Sequence, residues 1–218
     1  MSGFWSDVAI YGPGFMTAAW TVLWITLLTI VLSWFFGLSA ALGQRSEYMA
    51  IRALSAFYVW FIRGTPALIQ IFIIYFGMPQ LGIRLSPYSA GILALGLNSG
   101  AYVTEIIRSG LSAIPTGQME SSLALGFSRR ETMRTIILPQ VFRIILPAIT
   151  NEALSTLKNT SLLSTITVIE LTLYAQTLIA ATFRPFDFYI AVALIYLLLT
   201  TILTQLAAYF ERRFARMS

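Results

Sequence analysis

The most constraining feature of this sequence is residues 15–43, a long run that contains no charged side chain. An apolar run of more than about 18 residues is long enough to cross the hydrocarbon core of a bilayer as a helix. Further long apolar runs follow, and only 11% of the residues are charged, against 57% that are hydrophobic. Soluble domains carry roughly 25% charged residues. The sequence therefore predicts an all-α polytopic membrane protein.

Five apolar segments predict five transmembrane helices within a single domain that spans residues 1–218. They cover residues 15–43, 53–77, 87–108, 141–157 and 187–210. Residues 159–183 are apolar as well, but they are dense in Ser and Thr. A sixth full span there would place the C-terminal arginines opposite the other arginine-rich loops. We therefore interpret this stretch as a partial or re-entrant element on the outer side.

Arginine positions predict the orientation, because the cytoplasmic loops of membrane proteins are enriched in Lys and Arg. With the N-terminus outside and the C-terminus in the cytoplasm, the outer loops hold only Arg84 and Arg184. The inner loops then hold Arg45, Arg52, Arg108, Arg129, Arg130, Arg134, Arg143, Arg212, Arg213 and Arg216.

Several residue types and motifs that carry chemistry are missing from the sequence. It contains no Cys and no His, so we expect no disulfide, no metal site and no histidine general base. It also lacks the G-x-x-x-x-G-K-[ST] phosphate loop, so the chain is not expected to hydrolyse ATP or to hold a cofactor itself. The net charge of +5 does not indicate nucleic-acid binding, because most arginines lie at the ends of apolar runs.

A charged segment, residues 115–139, separates the third and fourth spans. Ser128-Arg-Arg-Glu131 has the spacing of a capping box, which predicts that a helix begins there. Thr116 is expected to cap a preceding helix. Gly126 can adopt the left-handed conformation that ends it. A plain interfacial connector, with its arginines among the lipid headgroups, is one interpretation of this segment.

A second interpretation comes from the residue spacing. Glu120-Ser-Ser is followed by Gly126 and then by Ile136-x-Leu-Pro139. This pattern resembles the EAA loop of ABC importer permeases, although Ser121 and Ser122 stand where that family usually has Ala. In the family, this loop is the coupling helix that docks into a cytoplasmic ATPase subunit. The resemblance implies an ATPase-coupling role for Gln118, Glu120, Ser121, Ser122, Gly126, Arg129 and Arg130.

Other stretches resemble the polar amino-acid uptake branch of these permeases. They are Phe61-Ile-Arg-Gly-Thr-Pro66, Ala101-Tyr-x-x-Glu105-x-x-Arg108, Gly117-Gln118, Leu157-Lys-Asn-Thr-Ser-Leu162 and Glu170-Leu171. The resemblance implies the MetI-like permease fold and ATP-driven import of a polar amino acid or a similar small zwitterion. The implied partners are a dimer of ATPase subunits that holds ATP and Mg, a second identical or homologous permease, and an extracytoplasmic solute-binding protein. The implied location is the bacterial inner membrane.

The fourth span carries polar residues along one helical face, which makes it a candidate lining of the solute path. These residues are Asn151, Glu152, Ser155, Thr156 and Asn159. A charge at mid-membrane costs on the order of 3 kcal/mol, so Glu152 is expected to face a cavity or a partner. It either meets the ammonium or side-chain cation of a passing amino acid, or forms a structural pair with Lys158 or an arginine of another subunit.

The third span offers two further path candidates, Asn98 and Tyr102, which lie about one helical turn apart. Gly96-Leu-Asn-Ser-Gly100 has the small-residue spacing that lets a second helix approach closely, so packing is an alternative role for this stretch. Glu105 and Arg108 are also about one turn apart and are expected to pair with each other.

Three other classes of function are alternatives. A stand-alone secondary transporter or channel usually shows inverted repeats and broken-helix ion sites, and we find no such repeat. An intramembrane enzyme without His or Cys would need paired carboxylates, and Glu152 and Glu170 are far apart in the sequence. A membrane scaffold would have no use for the polar face of the fourth span.

Overall fold

The structure is a computed structural model, and most of the residues that it describes are helical. It describes residues 2–215, except for the side chains of residues 2–6, 8, 210, 214 and 215. The predicted inner position of Arg216 therefore lies outside the described residues. The α-helices are α1 (Ser2–Gly43), α2 (Met49–Gly64), α3 (Ala67–Phe72), α4 (Pro87–Ser112), α5 (Thr116–Ala124), α6 (Arg129–Thr132), α7 (Leu138–Asn159), α8 (Leu171–Thr182) and α9 (Pro185–Ala215). Two π-helical turns (Ile73–Gly77 and Met133–Ile137) and two 3-10 helices (Met78–Leu81 and Thr160–Ile166) extend these helices.

Four helical segments are long and apolar enough to cross a membrane. They are Ala9–Gly43, Pro87–Ser112, Arg129–Ile166 and Pro185–Arg213. A fifth candidate is formed by Met49–Gly64 and Ala67–Leu81, if this bent pair counts as one span. The predicted all-α polytopic architecture is confirmed, with five spans when the bent pair is included.

The predicted second span, residues 53–77, is a broken helix with a bend of 113° between α2 and α3. Pro66 has no N–H to donate and disfavours helical geometry in the residue before it. Thr65 is accordingly extended, with φ −123° and ψ 147°. The side chain of Gln70 serves this break, because its Nε2 donates to the carbonyls of Ile62 at 2.8 Å and Thr65 at 3.0 Å.

Residues 159–183 form the 3-10 helix Thr160–Ile166 followed by α8. As a 12-residue helix of about 18 Å, α8 is shorter than a hydrocarbon core of about 30 Å, as expected for a partial element. Glu170 caps it: the buried carboxylate accepts from the backbone N–H groups of Thr172 at 2.9 Å and Leu173 at 3.0 Å. The hydroxyl of Tyr196 on α9 donates to the same carboxylate at 3.0 Å, so this charge is satisfied within the fold.

The packing centre of the molecule is α4, which lies along α1. Gly96 and Gly100 let the two helices approach: a Cβ added at Gly96 would lie 2.8 Å from Leu32 Cδ2, and one added at Gly100 would lie 2.8 Å from Phe36 Cβ. The predicted close approach of another helix at this spacing is confirmed. Because α7 packs on α4 as well, the polar residues of the third and fourth spans come close together.

An ionic cluster joins the beginning of α1 to the beginning of α9. Arg184 Nη2 lies 2.8 Å from Asp7 Oδ2, and Arg184 Nε lies 2.7 Å from Asp187 Oδ2. Hydrogen bonds to Asp7 and then Asp187 raise the pKa of the Arg184 guanidinium above its ordinary value. The N-terminal region and the α8–α9 turn therefore lie at the same end of the molecule.

Candidate functional site

A polar cleft of about 390 Å³ opens where the α2–α3 break, α4 and α7 meet. Its lining consists of Thr65, Pro66, Ala67, Asn98, Tyr102, Glu152, Ser155 and Asn159. The structure thus brings five of the predicted path residues together, namely Asn98, Tyr102, Glu152, Ser155 and Asn159. The residues of the α2–α3 break were not predicted to take part.

The two other predicted path residues lie outside the lining of the cleft. Thr156 is buried, and its hydroxyl donates to the Ser99 hydroxyl at 3.2 Å, which ties α7 to α4. Asn151 is exposed. The face of α7 that meets the cleft is therefore narrower than the polar face read from the sequence.

One wall of the cleft is held by a network of side-chain amides. The buried Asn98 donates from Nδ2 to Gln70 Oε1 at 3.0 Å. Gln70 is also buried, and its Nε2 donates to the Thr65 hydroxyl at 2.8 Å as well as to backbone carbonyls at the break. This network joins α4 to the break. A role for Gln70 was not predicted from the sequence. The one indication there is that this amide side chain lies within an apolar run shortly after Pro66.

Glu152 is the acidic group of the cleft. It is partly buried, and the Ser99 hydroxyl is its hydrogen-bonding neighbour. Lys158 is exposed, and none of the ion pairs in the described part of the chain involves Glu152. A carboxylate placed this way in a polar cleft can accept hydrogen bonds from an ammonium, guanidinium or amide group of a ligand.

A cluster of charges lies next to Tyr102. Arg108 donates to both Glu105 carboxylate oxygens, from Nε at 3.0 Å and from Nη2 at 2.8 Å, so the predicted pair is confirmed. Arg63 on α2, which was not predicted to join it, lies 3.1 Å from Glu105 Oε2. Its guanidinium carbon is also 5.7 Å from the centroid of the Tyr102 ring. This cluster ties the end of α2 to α4 beside the cleft.

The charged loop between α4 and α7 folds as two short helices. In the capping box at α6, Ser128 Oγ accepts from the Glu131 N–H at 3.2 Å, while Glu131 Oε2 accepts from the Ser128 N–H at 2.9 Å. Gly126 is left-handed, with φ +91°. Both predictions are confirmed. The predicted cap at Thr116 is wrong, because the extended Pro115 occupies the cap position and Thr116 is already the first residue of α5.

The loop has one side packed on the helices and another open to solvent. Met119 and Met133 pack against a buried cluster that includes Ile107, Val141 and Ile145. The predicted coupling residues on the open side are Glu120, Ser121, Gly126, Arg129 and Arg130. Beside them lies the apolar residue Leu125, which is 79% exposed and was not predicted from the sequence to belong to this surface. An exposed surface that mixes apolar and charged residues suits a protein partner.

The remaining two predicted coupling residues face inward. Ser122 is buried, and its hydroxyl donates to the Gln118 carbonyl at 2.8 Å. Gln118 is partly buried and pairs with Gln140 on α7 through two reciprocal amide hydrogen bonds. The small size of Ser122 thus serves the fold of the loop.

A protein family, related sequences and solved structures all match this chain. The family described as "Binding-protein-dependent transport system inner membrane component" matches residues 33–216. The glutamine transport system permease protein GlnP of Escherichia coli (strain K12) is 36% identical over 211 residues, which are 96% of this chain and 96% of that relative. A crystal structure of an amino acid ABC transporter with histidines is 37% identical, with a TM-score of 0.90 over 95% of this chain and 97% of that chain. An inward-facing MetNI methionine ABC transporter, 16% identical over 94% of this chain and 97% of that chain, shares the fold, with a TM-score of 0.77.

Proposed function

The chain belongs to the family of binding-protein-dependent transport system inner membrane components, and we propose that it passes a polar amino acid or a similar small zwitterion through the cleft at Glu152. A separate subunit would hydrolyse the ATP that drives this passage. The observation that carries this proposal is the cleft itself, where one carboxylate and several uncharged polar groups converge between apolar helices. Within the described residues no ion pair neutralises this acid, so the lining offers hydrogen bonds to a zwitterion.

The ATPase subunit is proposed to dock on the open side of the α5–α6 loop. Three features support this site: the loop is fixed by a capping box and a left-handed glycine, its inner side is anchored by Met119 and Met133, and its outer side presents both arginines and Leu125. ATP and Mg would be held by the ATPase dimer. Its closure on ATP binding would move the loops and open the cleft to the outside.

The proposed orientation has the N-terminus outside and the C-terminus in the cytoplasm of a bacterial cell. The Asp7–Arg184 ion pair agrees with placing the N-terminal region and the α8–α9 turn on the same side, and the arginine-rich loops at the other end assign that side to the outside. The solute-binding protein would dock at that end, and a second identical or homologous permease would complete the path. In this arrangement the α5–α6 loop faces the cytoplasm.

The substrate role of Glu152 is that of an acceptor for the ammonium or side-chain cation of the amino acid. Asn98, Tyr102 and Ser155 would bind the remaining polar groups. Glutamine is the first substrate to try, because GlnP, 36% identical, is a glutamine transport system permease protein. The identity of the amino acid is part of the proposal.

The test is uptake of labelled L-glutamine, then of other polar amino acids, into proteoliposomes that contain the permease, its co-purified ATPase and the binding protein. We expect uptake only with ATP and Mg, and we expect Glu152→Gln to reduce it by about tenfold or more, since a charged hydrogen bond contributes roughly 1.5–3 kcal/mol. Glu47→Gln, at an exposed acid of the α1–α2 loop, is the matched control. Uptake by the permease alone along a gradient would instead identify a stand-alone transporter. Unchanged uptake and selectivity in Glu152→Gln would remove Glu152 from the path.

A further inference from the structure

Gln118 of α5 and Gln140 of α7 form a reciprocal amide pair. Gln140 Nε2 donates to Gln118 Oε1 at 2.6 Å, and Gln118 Nε2 donates to Gln140 Oε1 at 3.1 Å. Both side chains are partly buried. Each amide uses a donor and an acceptor in the same contact, so a small displacement of one side chain weakens two hydrogen bonds at once.

Gln140 lies at the irregular start of α7. It lies directly after Pro139, which lacks an N–H, and after the π-helical turn Met133–Ile137. The Gln140 amide also donates to the Ile136 carbonyl at 2.8 Å. One side chain thus holds its own irregular helix start and the neighbouring helix α5.

From Gln140 the helix continues to the cleft. The helical segment Arg129–Ile166 contains both Gln140 and Glu152, and their separation of twelve positions corresponds to about 18 Å of helix. Pro147 lies between them and removes one backbone hydrogen bond, but α7 continues through it from Leu138 to Asn159, so a displacement at Gln140 is carried along the helix toward Glu152.

The other contacts of α5 are less directional. Met119 packs into an apolar cluster, and the hydroxyl of Ser122 donates within its own helix. Apolar packing tolerates sliding more readily than a reciprocal amide pair, because the hydrophobic effect is non-directional. The amide pair therefore fixes the position of α5 relative to α7.

We propose that the Gln118–Gln140 pair is the rigid link that passes the movement of the α5–α6 loop to α7 and the cleft, with Gln140 as a positioning residue. This inference rests on the proposed function, in which that loop docks the ATPase. Gln140 lies on α7, outside the proposed docking surface, so its substitution separates transmission from docking.

The first test is Gln140→Leu in the reconstituted importer, with Gln205→Leu at an exposed position of α9 as the matched control. We measure ATPase co-purification, the rate of ATP hydrolysis, and the solute moved per ATP. We expect the ATPase to co-purify and hydrolyse ATP, while solute moved per ATP falls by about tenfold, within the usual range of allosteric coupling. A residue that only stabilises the fold would lower the amount of complex and leave the ratio unchanged, and that result would overturn the proposal.

The second test uses the absence of cysteine from the sequence. In the Gln118→Cys/Gln140→Cys variant the two thiols are the only ones in the chain and can be bridged by a short bismaleimide. The unbridged variant should be uncoupled, and bridging should restore solute moved per ATP. If bridging arrests transport in an otherwise coupled variant, α5 moves against α7 and the rigid link is overturned. A wild-type complex without ATP-driven uptake would instead overturn the proposed function itself.

Discussion

Two helix breaks in this protein are stabilised in different ways. The break between α2 and α3 is held by the buried side chain of Gln70, whose amide donates to the Ile62 and Thr65 carbonyls and accepts from Asn98 on α4. The break between α5 and α6 is exposed, and it is closed by its own residues, through Gly126 and the Ser128–Glu131 box. The first break is fixed to the protein and lines the cleft. The second is complete in itself and leaves its surface available to a partner.

The largest expected effect is on the exposed break. Gly126→Arg should abolish co-purification of the ATPase, because a large side chain would project from the middle of the proposed docking surface. Gly82→Arg is a closely matched control: Gly82 also has a positive φ, +82°, and neither glycine has a neighbour within 4 Å of an added Cβ. Both variants carry a similar left-handed strain of about 1–2 kcal/mol. Equal losses in the two pull-downs would trace the effect to strain and contradict docking at Gly126.

The α2–α3 break should respond to Gln70→Leu. This change leaves the Asn98 amide and the Thr65 carbonyl without the Gln70 amide, while the Ile62 carbonyl keeps only its contact with the Thr65 N–H. The expected cost is about 2–4 kcal/mol, since each buried unsatisfied group costs roughly 1–3 kcal/mol. We expect a lower thermal unfolding temperature in detergent and loss of uptake, with the ATPase still bound. Gln176→Leu, at an exposed glutamine of α8, is the control. An unchanged unfolding temperature would mean that the network does not hold the break.

The two breaks also differ in how far the sequence predicted them. The exposed break was predicted almost completely, because a capping box and a left-handed glycine are local signals that lie within a few residues of each other. The Thr116 cap failed because Pro115 already occupies the extended cap position. The apolar runs predicted the fold class for the same local reason.

The cleft was predicted only in part, because its geometry depends on contacts between distant residues. Helical periodicity placed Asn151 and Glu152 on one broad face, but adjacent residues point about 100° apart, and only the packing of α4 decides which of them faces the cleft. The links from Gln70 to Asn98, from Arg63 to Glu105 and from Gln118 to Gln140 join separate helices. No spacing within one helix indicates such links.

A smaller effect is expected when the cap of the exposed break is removed. Ser128→Ala should cost about 1 kcal/mol by loosening the first turn of α6. If the loop docks the ATPase, its affinity in a titration should fall several-fold. Ser86→Ala removes the corresponding cap of α4, where Ser86 accepts from the Ser89 N–H, at a similar cost but away from the loop. Equal ATPase affinity in the two variants would show that the order of α6 does not matter for docking.

The smallest effect is expected at Arg63, the charged residue next to the α2–α3 break. Arg63 pairs with Glu105 while 44% of its side chain is exposed, and Glu105 keeps its two hydrogen bonds from Arg108 when Arg63 is replaced. Arg63→Gln should therefore lower the free energy of unfolding by no more than about 1 kcal/mol, as for other exposed ion pairs. Calorimetry of the purified variants measures this loss. The control is Arg52→Gln, at an exposed arginine of α2. A loss as large as that of Gln70→Leu would mean that charge, rather than the amide network, holds α2 and α4 together at the cleft.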